Sequence, residues 1–342
     1  MNKKIDFARI GRSPIFIIVT FFLLINLFFI ITAFDSFFQL DNYFYMLKQT
    51  AMIIIVASAA TLLMMTGNFD LSTGSVVAFT GCVYALLIKN GMTLLPAGVA
   101  AVIVGIVIGI TNGTMVTRFN FPPFIATLCM MYISRGIALI LANGATIRDN
   151  MPKEIGYLAS RDFLGLPIFV VFIMIALAVF IFIQKKTLLG KYALAIGGNK
   201  NAAFFSGINT GMIVLSLYVL IGGLAGFAGV MSASRLSAGD PRGMVGFEFD
   251  VILAIILGGT SLSGGKGSVI GTFFGALVVA SLGNGLDMLN VLTFWQSILK
   301  GIIFVLAIVL NEKILRNIGK ATAAGAKALS APRLSSGLPP GT

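Results

Sequence analysis

AMIIIVASAATLLMMTGNFDLSTGSVVAFTGCVYALLIK, residues 51–89, sets two apolar runs on either side of a short polar stretch. The runs belong to candidate membrane spans at 48–66 and 75–89, because about 18 or more apolar residues in a row read as a bilayer-crossing helix. Between them, Gly67 and Gly74 relax the backbone, while Asn68, Asp70, Ser72, Thr73 and Ser75 offer side-chain partners for freed N–H and C=O groups. Irregular backbone at membrane depth is tolerated only where protein buries it or where it lines a wet cavity. A broken helix over 67–75 would therefore mark a central pathway of the kind many transporters use. The alternative is a cytoplasmic turn whose Asp70 or Ser72 caps the following helix.

The rest of the chain has the same character. Of its 342 residues 58% are hydrophobic and 11% charged, against about 25% charged in soluble domains. One water-soluble core cannot hide that much apolar surface. Ten spans are expected, at 15–33, 48–66, 75–89, 94–116, 124–142, 167–184, 212–232, 247–263, 268–286 and 294–311. They make an all-α polytopic bundle. The first run is too long for a cleavable signal and lacks a small-residue cleavage site, so it reads as a retained span. Residues 1–14 are then a cytoplasmic segment, 15–316 the transmembrane domain, and 317–342 a small-residue, Pro-rich disordered tail.

The net charge of +12 is read through its distribution. With a cytoplasmic N-terminus, Arg118, Lys185, Lys186, Lys191, Lys200, Lys266 and both terminal basic clusters lie inside. Outside fall Lys48, Lys89, Arg148, Lys153, Arg161, Arg235 and Arg242. This is the positive-inside pattern, with both termini cytoplasmic, and it explains the charge without nucleic acid.

The chain has no histidine and only two cysteines, Cys82 and Cys129, which excludes a zinc cluster and histidine acid–base chemistry. No paired carboxylates or nucleophile with a base suggest an enzyme. The glycines around Lys266 are not a nucleotide loop, since Gly267 follows the lysine and Thr260 stands where a Walker A motif requires glycine. Pairs such as Gly222/Gly226 and Gly271/Gly275 fit close helix packing.

Several features outside 67–75 could carry mechanism. Arg135 and Lys300 are basic residues inside spans, either functional or snorkelling to the outer interface. Glu248 and Asp250 open the eighth span, where carboxylates suit the helix dipole or could guide a hydroxylated solute. The basic loop GKYALAIGGNKNAAFFSGIN, 190–209, can form a short helix over 199–206 whose Phe204 and Phe205 need a protein partner or the membrane surface to cover them. Asn112, Thr127, Asn284 and Gln296 could bond sugar hydroxyls, and Phe119, Phe124 and Trp295 could stack on apolar sugar faces. Each on its own is more often helix glue or an interface aromatic. A weak echo between LSTGSVVAFTG (71–81) and LSGGKGSVIGTFFGA (262–276) hints at an internal repeat.

Four regions together resemble the permeases of ribose-, galactose- and xylose-class ABC importers, over nearly all of residues 14–316. They are GNFDLSTGSVVAFTG (67–81), NGTMVTRFNFPPFIATLCMMYISRGIAL (112–139), GKYALAIGGNKNAAFFSGIN (190–209), and FEFDVILAIILGGTSLSGGKGSVIGTFFGAL (247–277) followed by NGLDMLNVLTFWQSILKGIIFVLAIVL (284–310). Family members usually read GIDLS or GTDLS where this chain has Gly67 to Ser72, so Phe69 adds bulk here. The resemblance implies a ten-helix permease that dimerises with a second copy or a homologue. It also implies a cytoplasmic ATPase with two nucleotide-binding halves, which would hold the ATP and magnesium, and a periplasmic solute-binding protein. No cofactor or metal is expected in the chain itself.

On this reading Asn68, Phe69, Asp70, Ser72, Asn112, Phe124, Thr127, Arg135, Asn284 and Trp295 belong to the translocation pathway. Gly190, Gly198, Asn199, Ala202, Ala203, Phe205, Ser206 and Gly207 couple to the ATPase, and Arg235, Asp240, Arg242 and Glu248 dock the binding protein. The expected function is import of a monosaccharide or similar solute by alternating access. The rival is an ion-coupled secondary transporter, which would need acidic groups or histidine within its spans; only Asp70 is close to that depth.

Overall fold

The computed structural model describes residues 14–309. The terminal basic clusters and the expected tail at 317–342 lie outside the described residues. Nearly everything described is helix: α1 Pro14–Thr32, the single turn α2 Phe34–Phe37, α3 Leu40–Met65, α4 Thr73–Lys89, α5 Leu94–Thr117 and α6 Pro123–Leu141. A 3-10 turn Lys153–Gly156, α7 Tyr157–Ser160 and a hairpin of β1 Asp162–Phe163 with β2 Leu166–Pro167 follow, the strands pairing Asp162 with Pro167 and Phe163 with Leu166. Then come α8 Ile168–Lys186, α9 Leu188–Gly198, α10 Lys200–Phe205, α11 Thr210–Leu236, α12 Phe247–Leu257, α13 Val269–Met288 and α14 Thr293–Val309.

Among the described residues seven helices are long and apolar enough to cross a membrane: α1, α3, α5, α6, α8, α11 and α13. The expected spans at 75–89 and 294–311 are met by shorter apolar helices. The span expected at 247–263 needs correcting, because α12 has 11 residues and stops at Leu257. At 1.5 Å per residue it is about 16 Å long, half of a ~30 Å hydrocarbon core. Gly258 and Gly259, the latter at φ 83°, end it.

Glycines set the packing. α5 and α11 approach backbone to backbone, with Gly105 and Gly109 against Gly222 and Tyr218, and Gly226 against Ala101 and Val102. α13 meets α12 in the same way, Gly271 lying on Gly258 and Gly275 on Ala254. Both glycine pairs singled out in the sequence thus serve contacts within one protomer. A methyl group there would meet a carbonyl oxygen, an overpacking cost of about 1–3 kcal/mol. α3 runs through the centre, buried almost throughout from Thr50 to Met65. Its N-terminal end is tied to α13 by a reciprocal amide pair, Asn42 Nδ2 donating to Asn284 Oδ1 at 3.0 Å and Asn284 Nδ2 to Asn42 Oδ1 at 2.9 Å.

Candidate functional site

Residues 66–72 separate α3 from α4. α3 ends in a turn closed by Gly67 at φ 82°, and Thr66 Oγ1 donates to Leu63 O at 2.6 Å while accepting from Asn68 Nδ2 at 2.7 Å. The chain then enters a buried polar clasp. Asp70 Oδ1 accepts from Ser72 N at 2.7 Å and from Ser72 Oγ at 2.6 Å. Asn112 on α5 donates to Ser72 Oγ at 2.9 Å and to Asp70 Oδ2 at 3.3 Å. Tyr218 on α11 donates its hydroxyl to Phe69 O at 3.0 Å. Asp70, Ser72 and Asn112 are all buried. A buried charge without such bonds would cost several kcal/mol, so the clasp explains why a carboxylate is tolerated here.

Residues 66–72 are an irregular, buried connection, and helix resumes at Thr73, so Thr73 to Ser75 belong to α4. Ser72 is the N-cap residue, but its side chain makes no cap bond; Asp70 binds Ser72 itself. α4 starts part-way along α11. Val77 and Gly81 flank Gly229, and Gly81 also meets Ala233, so the two helices run parallel. Gly74 is therefore level with a point on α11 about twelve residues, or ~18 Å, from its N-terminal end.

The N-terminus of α12 converges on the same level. The loop after α11 turns back inward, and Gly74 lies so close to the Glu248 carboxylate and the Met244 carbonyl that only glycine fits. Arg135 on α6 braces that loop, its Nη1 donating to Pro241 O at 2.7 Å and to Gly243 O at 2.6 Å. Burial against Gly74 takes Glu248 off the surface that the docking expectation requires. Asp240 Oδ1 accepts from Arg242 N at 3.0 Å, and the Arg242 side chain is exposed.

A second irregular stretch, 258–268, joins α12 to α13. It folds on itself through Ser261 N to Lys266 O at 3.1 Å and Gly264 N to Ser261 O at 3.1 Å. Gly265 N donates to Met65 O at 2.9 Å, which fastens it to the end of α3. Gln184 of α8 spans the restart, giving a bond to Gly267 O at 2.9 Å and taking one from Val269 N at 3.1 Å. Gly197 of α9 closes the arrangement. A Cβ there would collide with the Met65 carbonyl and the Gly265 N–H, and one on Gly264 would sit 3.0 Å from Gly197 Cα and 2.8 Å from Gly67 N.

The last turn of α9 therefore touches the second break directly and the end of α3, where the first break begins. Beyond it, Asn199 caps α10 by accepting from Ala202 N at 3.0 Å. Ser206 Oγ donates to Ala202 O at 2.8 Å, and Gly207 at φ 81° ends the helix. Phe204 and Phe205 are 63% and 86% exposed, while Ala203 is buried. A short helix with two exposed phenylalanines is thereby backed by a helix that rests on the end of α3 and on the second break.

Residues 42–308 match the family described as branched-chain amino acid transport system / permease component. The chain belongs to this permease family. The permease is 37% identical to the ribose import permease protein RbsC of Escherichia coli K12 over 294 residues, 85% of this chain and 92% of the relative. It is 35% identical over 295 residues to the L-arabinose ABC transporter permease protein AraH of Azospirillum brasilense, 86% of each. It is 32% identical over 281 residues to the D-allose transport system permease protein AlsC of Escherichia coli K12, 82% of this chain and 86% of the relative. No solved structure matches.

The remaining pathway candidates are scattered over the permease. Thr127 is buried and donates back to Pro123 O within its own helix, and Asn284 is committed to Asn42. Phe124 and Trp295 are exposed, at 51% and 60%. Gln296 binds Asp287 Oδ1 at 2.7 Å. Gly190 lies under the carbonyls of Ile183 and Gln184 where the chain turns from α8 into α9, whereas Gly198 at the end of α9 is open. Sequence reasoning did not single out Gly197, Gln184, Met65 or Tyr218. Their partners are far away in the chain, and no local pattern announces them.

Proposed function

We propose that this permease is the membrane-spanning subunit of an ATP-binding cassette importer for a monosaccharide, working in the bacterial inner membrane. Its relatives named for ribose, arabinose and allose support a sugar in place of the amino acids in the family description. The chain crosses the bilayer ten times, with α4 and α14 as short crossings, α12 completing a crossing that the inward-turning loop after α11 begins, and both termini in the cytoplasm. Two copies, or this chain and a homologue, enclose the route. A cytoplasmic ATPase with two nucleotide-binding halves holds ATP and magnesium and grips the exposed face of α10. A periplasmic binding protein delivers the solute near Arg235, Asp240 and Arg242. The chain itself performs no chemistry.

The observation that carries this reading is the seat of Gly197 against Met65 and Gly265. A push on α9 and α10 reaches the 258–268 stretch directly and the 66–72 stretch through the end of α3, a contiguous packed route between the loop and both irregular segments. The test is uptake into inside-out-free proteoliposomes holding permease, ATPase and binding protein. Uptake should need internal ATP and the binding protein; uptake driven by an ion gradient in the permease alone would reject the importer in favour of a secondary transporter.

A further inference from the structure

One ion pair among the described residues has no place in the coupling account. Lys300 Nζ on α14 lies 3.0 Å from Asp250 Oδ2 on α12, with the two side chains 38% and 20% exposed. Its depth follows from the packing. Ala254 of α12 lies on Gly275 of α13, and the two helices run antiparallel, since Gly258 lies on Gly271. Asp250, one turn before Ala254, is then level with about residue 279, ten residues or ~15 Å into the span that starts at Val269. That is the middle of a ~30 Å hydrocarbon core.

Charged groups at that depth are costly against lipid and face a protein interior or a water-filled cavity. The pair is 38% and 20% exposed in the lone protomer, so its open side meets a second copy of the chain or water in place of lipid. Its surroundings suit a neutral hydroxylated solute. The two charges cancel and leave no net attraction for an ion, yet the carboxylate accepts hydrogen bonds and the ammonium donates them. Phe249, next to Asp250, is 52% exposed, and its ring stands edge-on to Phe304 at 6.1 Å between centroids. Charged groups beside an open aromatic face make a site with one polar and one apolar wall.

We propose that Asp250, Lys300 and Phe249 form a sugar-contacting station on the aqueous translocation route, midway through the membrane. The inference rests on the importer reading above and adds a place and a set of groups for the solute. The glutamate two residues away, Glu248, points instead at Gly74 and is no part of it.

The test uses the complete importer in proteoliposomes, with Cys82 and Cys129 replaced by alanine. Phe249→Cys should react with a charged, membrane-impermeant methanethiosulfonate. D-ribose, L-arabinose and D-allose are added in turn with the binding protein, and whichever is transported should slow the reaction. Ile103→Cys on α5, 53% exposed in the protomer, serves as the lipid-facing control and should stay unmodified. In parallel, Asp250→Asn should raise KM for uptake about tenfold or more, the loss expected for a hydrogen bond to a charged group, with kcat changed less. An unreactive Phe249→Cys, labelling that no transported sugar slows, or a purely kcat effect of Asp250→Asn would each overturn the station. ATP-driven uptake by the unsubstituted importer in the same vesicles reads the parent proposal separately. If that uptake is present and the labelling fails, only the station falls; if it is absent for all three sugars, both fall.

Discussion

The two irregular segments are neighbours but are built from different materials. The 66–72 break is held by side chains: Asp70, Ser72 and Asn112 clasp one another, and Tyr218 anchors the Phe69 carbonyl. The 258–268 break is held mostly by backbone groups, with Gly259, Gly264 and Gly265 at positive φ and a main-chain bond to Met65. Buried side-chain clasps have one good geometry and resist change. A glycine-rich stretch gives up little when it shifts, because no Cβ restricts its backbone. On the importer proposal the first break would act as the fixed jaw and the second as the compliant one, with α9 pressing beside the point where they meet.

The largest effect should come from the point of contact. Gly197→Val should abolish coupled uptake, a drop of about tenfold or more, because its side chain would overlap two backbones that cannot both retreat. ATP hydrolysis by the complex, measured on the same preparation, should persist. Loss of hydrolysis and uptake in equal measure would show a folding defect instead of lost transmission.

Next should come Asp70→Ala, which leaves the Ser72 N–H and hydroxyl buried without their acceptor and should cost about 1–3 kcal/mol, read as a lowered midpoint of thermal unfolding in detergent. Gln184→Leu frees the half-buried Gly267 carbonyl and the buried Val269 N–H, neither of them charged. About 1 kcal/mol is expected there by the same measurement. Tyr218→Phe, removing one bond and keeping the ring, should be mildest, at about 0.5–1.5 kcal/mol. A Gln184→Leu midpoint below that of Asp70→Ala would invert the assignment of fixed and compliant jaws.

The helical framework was readable because hydropathy is local. Each expected span overlaps a helix, and the glycines after Leu257 mark where α12 stops even though the apolar run invites a longer reading. The irregular stretch at 67–72 was legible for the same reason, since two glycines and a cluster of short polar side chains suit no lipid-facing helix. The loop at 188–198 was not: a basic, Gly/Asn-rich stretch does not advertise the helix α9, which forms because Ala193 and Ile196 are buried against neighbours. Arg135 was conspicuous in an apolar span, but its partners are two main-chain carbonyls more than a hundred residues on. Main-chain acceptors have no sequence signature. The apposition of Gly197 with Met65 was invisible for that reason too. The echo between 71–81 and 262–276 turned out to border two segments that touch, the Thr61 and Thr272 hydroxyls meeting at 2.7 Å nearby.

The paired amides of Asn42 and Asn284 impose a mechanical consequence. They pin the far ends of two long rods together by two bonds that are lost as a unit, whereas the near ends are held by a single hydroxyl pair, Thr61 with Thr272. Any swing between these rods would then be that of a pair of tongs, with its rivet at the doubly bonded amide end and its widest travel at the other, where one hydroxyl contact has to part.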